Sequence, residues 1–289
     1  MLRSMYAGIS GLKGFQTKLD VIGNNIANVN TTGYKKGRVT FQDMMSQSVS
    51  GASGPTNIRG GINPSQVGTG VQLGSIDNVH TQGNRQTTGR PLDLQLEGDG
   101  MFVFATGENI DGATTEEMDI SYSRAGNLYL DNEGYIVNAN GQYLLGQNGT
   151  DADGNPIDGT SRIKIPDTAE SFSIQSNGIV NYIQDGETQE AGQILVAKFS
   201  NPGGLNKTGS NMFQNSVNAG RMEDDEGNFL FEPESDGTAS VVSGALEMSN
   251  VDLSEEFTEM ITAQRGFQAN TRIITTSDEI LQELVNLKR

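Results

Sequence analysis

The stretch LRSMYAGISGLKGFQTKLDVIGNNIANV, residues 2–29, places Leu2, Met5, Ile9, Leu12, Phe15, Leu19, Ile22, Ile26 and Val29 at steps of three and four. That spacing draws an apolar stripe along one face of a helix. The extra three-residue step from Leu12 to Phe15 would locally overwind a coiled coil. A second stripe closes the chain, with Leu253, Phe257, Met260, Phe267, Ile274, Leu281 and Val285 diluted by Gln264, Thr271 and Asp278. Asp252 followed by Glu255 has the form of an N-cap with an acidic partner, and Lys288 with Arg289 suits a helix C-terminus. Both ends are therefore predicted to be helical.

Neither helix is expected to stand alone. Gly8, Gly11, Gly14 and Gly23 each cost about 1 kcal/mol against alanine in a helix interior, and isolated helices are marginal even with good formers. Ser4, Ala7, Gly8 and Gly11 form a small-residue surface on which another backbone could lie.

The charge distribution points to the partner. The chain has 289 residues and a net charge of -17, yet residues 1–48 carry +4 and residues 244–289 carry -4. All of the net negative charge lies between them. Ends of opposite sign bracketing an acidic middle predict terminal segments that meet each other. A chain this acidic is not expected to bind nucleic acid or anionic membranes. No apolar run reaches the length of a signal-peptide core or the roughly 20 residues of a membrane span.

Thirty-seven glycines, no tryptophan and a mean hydropathy of -0.43 fit a middle built of short strands and many turns. PLDLQLEGDGMFVFATG, residues 91–107, alternates Leu92, Leu94 and Leu96 before Gly98-Asp99-Gly100, a hairpin signal. SYSRAGNLYLDNEGYIVNANGQYLLG, residues 121–146, repeats it with turns at 131–134 and 138–141. RIKIP, SFSIQSNGIVNYI and GQILVAKF continue the pattern. The predicted fold is α+β: long terminal helices pairing as a coiled-coil-like stem, with a central antiparallel all-β domain. The predicted boundaries are a helical domain of residues 1–35 and 244–289, an extended connector of residues 36–90 and a β-rich domain of residues 91–243. Within the connector, Gly51, Gly54, Gly60 and Gly61 are expected to make the chain compliant.

Little in the chain suggests chemistry. There is no cysteine, and the one histidine, His80, has no second histidine for a metal site and no nucleophile beside it. DADGNPIDG, residues 151–159, starts like a calcium loop with Asp151, Asp153 and Asn155, but puts Pro156 where the turn needs glycine and Arg162 where a bidentate Glu belongs. Glu97 and Asp99 are better explained by a tight turn than by a glycosidase pair, and GTGVQLG, residues 68–74, lacks the spacing of a dinucleotide fingerprint. The expectation is no catalytic residue, no cofactor and no metal.

The two ends carry a resemblance. GISGLKGFQTKLDVIGNNIANVNTTGYKK and LEMSNVDLSEEFTEMITAQRGFQANTRIITTSDEILQELVNLKR resemble the paired terminal signatures of bacterial flagellar rod and hook proteins. LDLQLEGDGMFVF and YSRAGNLYLDNEGYIVNANGQYLLG are similar to the β core that family shares. SNVDLSEEFTEMITAQRGFQAN and the closing LVNLKR most resemble the hook type of Gram-positive bacteria, whereas GTGVQLGSIDNVHTQGNRQTTGRPLDLQLEGDG is as similar to the distal-rod type. The expectation is hook, with distal rod as the alternative; a secreted adhesin or hydrolase is less expected.

The resemblance implies an open helical homopolymer, a hollow tube with the terminal helices inside, acting as a universal joint that transmits torque from rod to filament. It implies export through the flagellar type III apparatus without a cleaved signal peptide, and a place outside the cell. Its implied partners are the distal rod, the hook cap and the hook–filament junction proteins. On that view Asn24, Asn25 and Asn28, which share a side of the helix about a third of a turn from the stripe, are expected to meet neighbouring subunits or the lumen. Asn30 to Gly33 should end the helix.

Overall fold

Two helices bracket the chain, α1 over Leu2–Ala27 and α2 over Leu253–Leu287. The computed structural model describes all residues except 1, 57, 108–109, 111–117, 148–158, 224–227, 236 and 288–289. The architecture is α+β, with the sheets between the helices in sequence and every strand pairing among the described residues antiparallel. The chain divides into two compact units: residues 1–27, 37–79 and 251–289 form one, and residues 28–36 and 80–250 the other.

In the first unit the helices run antiparallel. Gly8 faces Ile274, Gly11 faces Asn270, Phe15 faces Gly266 and Lys18 pairs with Glu259 at 3.0 Å. Asp252 caps α2 as its sequence predicts, its carboxylate accepting the N–H of Ser254 at 2.8 Å and of Glu255 at 3.4 Å. Val29 lies beyond the end of α1, in the turn that follows.

Residues 37–78, expected as an extended connector, instead form a long hairpin. Strand β1 (Gly37–Asp43) pairs with β4 (Val71–Asn78), and β2 (Ser46–Ser50) with β3 (Ser65–Gly68). Bridges Ser53–Ile62 and Thr56–Arg59 carry the ladder to its tip. A register shift between Thr40 and Phe41 leaves Gly74 as a bulge in β4, and Phe41 packs its ring 6.1 Å from that of Phe15 on α1. Gly14 leaves room for that ring, since a Cβ there would stand 2.9 Å from it. On the same helix the Ser10 hydroxyl accepts the Val71 N–H at 3.3 Å. The arm is therefore anchored on α1 at its root, while β2 and β3 are exposed throughout.

In the second unit, strand Met101–Thr106 is the centre of a 13-stranded sheet. Its alternate residues serve two cores: Phe102 and Phe104 join Leu94, Leu96, Leu144 and Ile194, while Met101, Val103 and Ala105 join Tyr122, Leu145 and Phe213. The turns at 131–134 and 138–141 close hairpins as expected, pairing Tyr129–Leu130 with Ile136–Val137 and Val137 with Tyr143. The expected hairpin at Gly98-Asp99-Gly100 does not form. Leu94–Glu97 pairs with Ser240–Ser243 instead, because Gly98, at φ 117°, turns the chain out of that small sheet and into the large one.

Candidate assembly surface

The face that α1 offers to α2 is made of what is missing. Gly8 and Gly11 are buried, and a Cβ on Gly11 would stand 2.8 Å from Nδ2 of Asn270. The answering surface is equally small: Ala263 and Ser277 are buried, Gly266 carries the ring of Phe15, and Asn270 and Ile274 lie between them. Small residues at three- and four-residue spacing let two backbones approach closely, and each glycine's intrinsic helix cost is offset by the packing it permits.

The apolar residues singled out in the sequence consequently divide. Met5, Leu12, Phe15, Leu19, Ile26, Met260, Ile274 and Leu281 are half-buried and Ile22 is buried. Ile9, Leu253, Phe257, Phe267 and Val285 are exposed, and the side chain of Leu2 lies outside the described residues, as do Lys288 and Arg289. Phe257 and Phe267 thus flank the helix pair rather than fill it.

The asparagines also divide. Asn25 was expected on a face turned to neighbouring subunits; it is buried inside its own unit. Its amide nitrogen donates to the Gly37 carbonyl at 2.9 Å and to the Glu256 carboxylate at 3.2 Å, and its oxygen accepts the Gly37 N–H at 3.0 Å. A buried amide satisfied from three sides fixes the point where the hairpin leaves α1. Asn24 is exposed. Asn28 builds the turn after the helix, with its carbonyl accepting the Thr31 N–H at 3.1 Å.

Gly51, Gly54, Gly60 and Gly61 stand near the tip of the hairpin arm and do not connect α1 to the β sheets. Gly51, Gly54 and Gly60 face open space, and none of the four has a positive φ. The arm exposes Met45, Val49, Ile58 and Val67. Between its root and α1 lies an apolar groove of about 430 Å³ lined by Tyr6, Ile9, Met44 and Thr69, with Arg3, Ser10 and Lys13.

The second unit holds a buried charge cluster that no sequence pattern announced. Lys35 donates to Glu247 at 2.6 Å and to the Thr81 carbonyl at 2.8 Å, and Arg124 reaches the other Glu247 oxygen at 3.3 Å. The Gly83 N–H adds a third donor to that carboxylate at 2.9 Å. Burial pushes the Lys35 ammonium down from its ordinary pKa, and Glu247 pulls it back. Residues 28–36 are held to this unit by the cluster and by the Gly33 N–H on the Glu247 carbonyl.

His80 packs its ring 5.4 Å from that of Phe213, and both ring nitrogens are buried with no hydrogen-bond partner among the described residues. Burial, reinforced by Lys35, Lys207 and Arg124, lowers its pKa to about 4. It borders a cavity of about 170 Å³ together with Asp99, Arg124 and Lys198. Glu97 is tied to Arg85 at 3.0 Å rather than to Asp99. The calcium-like residues Asp151, Asp153 and Asn155 lie outside the described residues, and among the described residues no cluster of three or more His, Asp or Glu could hold a metal. No described helix is long and apolar enough to cross a membrane.

Three family descriptions match this chain. Residues 5–35 match the flagella basal body rod protein family, residues 95–182 the D1 domain of the flagellar hook protein FlgE/F/G family, and residues 242–287 the C-terminal region of the flagellar basal body rod FlgEFG proteins. Among curated relatives, the flagellar basal-body rod protein FlgG of Bacillus subtilis is 53% identical over 290 residues, covering 100% of both chains. FlgG of Caulobacter vibrioides is 34% identical, covering 99% of this chain and 100% of that one. The flagellar hook protein FlgE of Borreliella burgdorferi is 32% identical and covered in full, but its alignment spreads over 457 positions, so it contains stretches with no counterpart here.

Proposed function

This chain belongs to the flagellar rod and hook family of axial structural proteins, and on that premise we propose that it is a subunit of the distal rod, the straight drive shaft of the basal body. The reading of a hook subunit, which the terminal motifs first favoured, gives way. The carrying observation is the full-length correspondence with proteins named as rod subunits, where the hook relative needs long additional stretches.

The geometry supports the same choice. A hook that bends as it turns needs compliant coupling at each subunit, and residues 50–63 were the candidate for it. They are the tip of a paired β arm anchored on α1. An isolated two-stranded hairpin is marginally stable in water, so an arm with Met45, Val49 and Ile58 exposed suits a brace seated on a neighbouring copy. Its role in the tube is to stiffen.

On this reading the protein is a structural element and not an enzyme, exported by the flagellar type III apparatus without a cleaved signal. It forms an open helical homopolymer, with the hook following on its distal end. Cells lacking the protein should contain basal bodies with shortened rods and no hooks by electron microscopy. Basal bodies with full-length rods that lack only the hook would contradict it.

A further inference from the structure

The first unit carries two sets of residues that its own fold leaves exposed, and they are complementary. On α2, Ile273, Ile280, Leu284 and Leu287 recur at steps of seven, four and three and are all exposed. Ile273 also edges the α1 contact at Gly8, while Ile280, Leu284 and Leu287 are rotated away from the line of Asn270, Ile274, Ser277 and Leu281. Glu279 and Glu283 flank it, one turn apart, and neither forms an ion pair with a described residue. Two carboxylates at that spacing repel, so they weaken the helix unless cations lie beside them.

On α1, the groove beside Tyr6, Ile9 and Met44 is almost wholly apolar, and Tyr6 is 69% exposed. Arg3 and Lys13 line it, are exposed, and likewise form no ion pair with a described residue. It lies on the side of α1 opposite to Gly8 and Gly11, where α2 of the same chain packs. The register of the pair, Gly8 against Ile274 and Gly11 against Asn270, also carries the last turn of α2 past the start of α1. The chain's own seam therefore cannot turn back into its own groove.

We propose that the seam of Ile273, Ile280, Leu284 and Leu287 docks in the Tyr6–Ile9–Met44 groove of a second copy, with Glu279 and Glu283 meeting its Arg3 and Lys13. This proposal rests on the polymeric reading above and specifies one of its contacts. A helix laid in an apolar groove with matched charges at its flank is a common recognition mode. Because the two surfaces differ, the contact is heterologous: each copy offers a seam to one neighbour and a groove to another. Repetition of such a contact without closure generates an open helix rather than a dimer.

The absence of native cysteine makes the test direct. Ile9→Cys protein and Leu284→Cys protein, mixed and co-assembled into tubes, should give a disulfide-linked dimer on mild oxidation. The same mixture with Gln268→Cys, on another face of α2, in place of Leu284→Cys should not. Glu279→Lys with Glu283→Lys should abolish tube formation at low salt, and adding Arg3→Glu with Lys13→Glu to the same chain should restore it. Tubes that form normally yet show neither crosslink nor charge dependence would overturn this contact and leave the rod reading standing. A wild-type protein that forms no tubes would overturn both.

Discussion

Asn25 holds Gly37 by both of its backbone groups, its amide nitrogen on the carbonyl at 2.9 Å and its oxygen on the N–H at 3.0 Å. Twelve positions apart in sequence, these two residues close the loop that leaves α1 and enters the hairpin. Asn25→Ala should leave that peptide unsatisfied, at a cost of about 1–3 kcal/mol. Hydrogen exchange on assembled protein checks it: the Gly37 amide should lose protection while the amides of strand Met101–Thr106 keep theirs.

Gly266 and Gly23 separate packing from propensity. A Cβ on Gly266 would stand 2.5 Å from the ring of Phe15, whereas one on Gly23 would meet nothing within 4 Å. Gly266→Ala should therefore weaken the helix pair by about 1–3 kcal/mol through overpacking. Gly23→Ala should strengthen α1 by about 1 kcal/mol. Helical circular dichroism against urea, measured on polymerised protein, should move in opposite directions for the two variants.

Glu247 neutralises Lys35 and Arg124 where all three are buried. Glu247→Gln removes the anion and leaves two cations without compensation, which should cost about 3–5 kcal/mol. The urea midpoint followed by tyrosine fluorescence should fall accordingly. A smaller loss for the double variant Glu247→Gln with Lys35→Met would identify stranded charge as the cause.

His80 should make stability depend on pH in one window. Its folded pKa of about 4 lies below the ordinary 6.5, so the unfolded chain binds the proton first as pH falls. The contribution of the neutral ring is complete above pH 6.5 and is lost progressively down to about pH 4. His80→Gln should flatten that part of the stability curve and leave carboxylate-linked losses at lower pH unchanged.

The legible parts of the fold were those with a local signature. Asp252 announced the start of α2, and the turns at 131–134 and 138–141 announced their hairpins because the paired strands lie next to each other in sequence. The segment at 94–97 misled because its partner at 240–243 is remote, and nothing in Gly98-Asp99-Gly100 distinguishes a corner between sheets from a tight turn. The outer part of the hairpin of 37–78 was hidden by its exposure: β2 and β3 are bare on both faces and have no alternation to display. The helix interface was obscured for the opposite reason, since Gly8, Gly11, Ala263, Gly266 and Ser277 contribute closeness rather than hydrophobicity. Phe257 and Phe267 drew the eye and stand at its edge. The pairing of Lys35 with Glu247, 212 positions apart, had no sequence signal beyond the opposite charge of the two ends.

A stiffening arm in a straight tube is tested most directly by the shape of the polymer. Wild-type protein assembled in vitro or isolated from cells should form tubes whose axes, traced by electron cryomicroscopy, are straight within the stiffness of the specimen. Each copy should show the hairpin of residues 37–78 ordered against a neighbour. Tubes with a uniform, persistent curvature, or arms left without contact in straight ones, would contradict it.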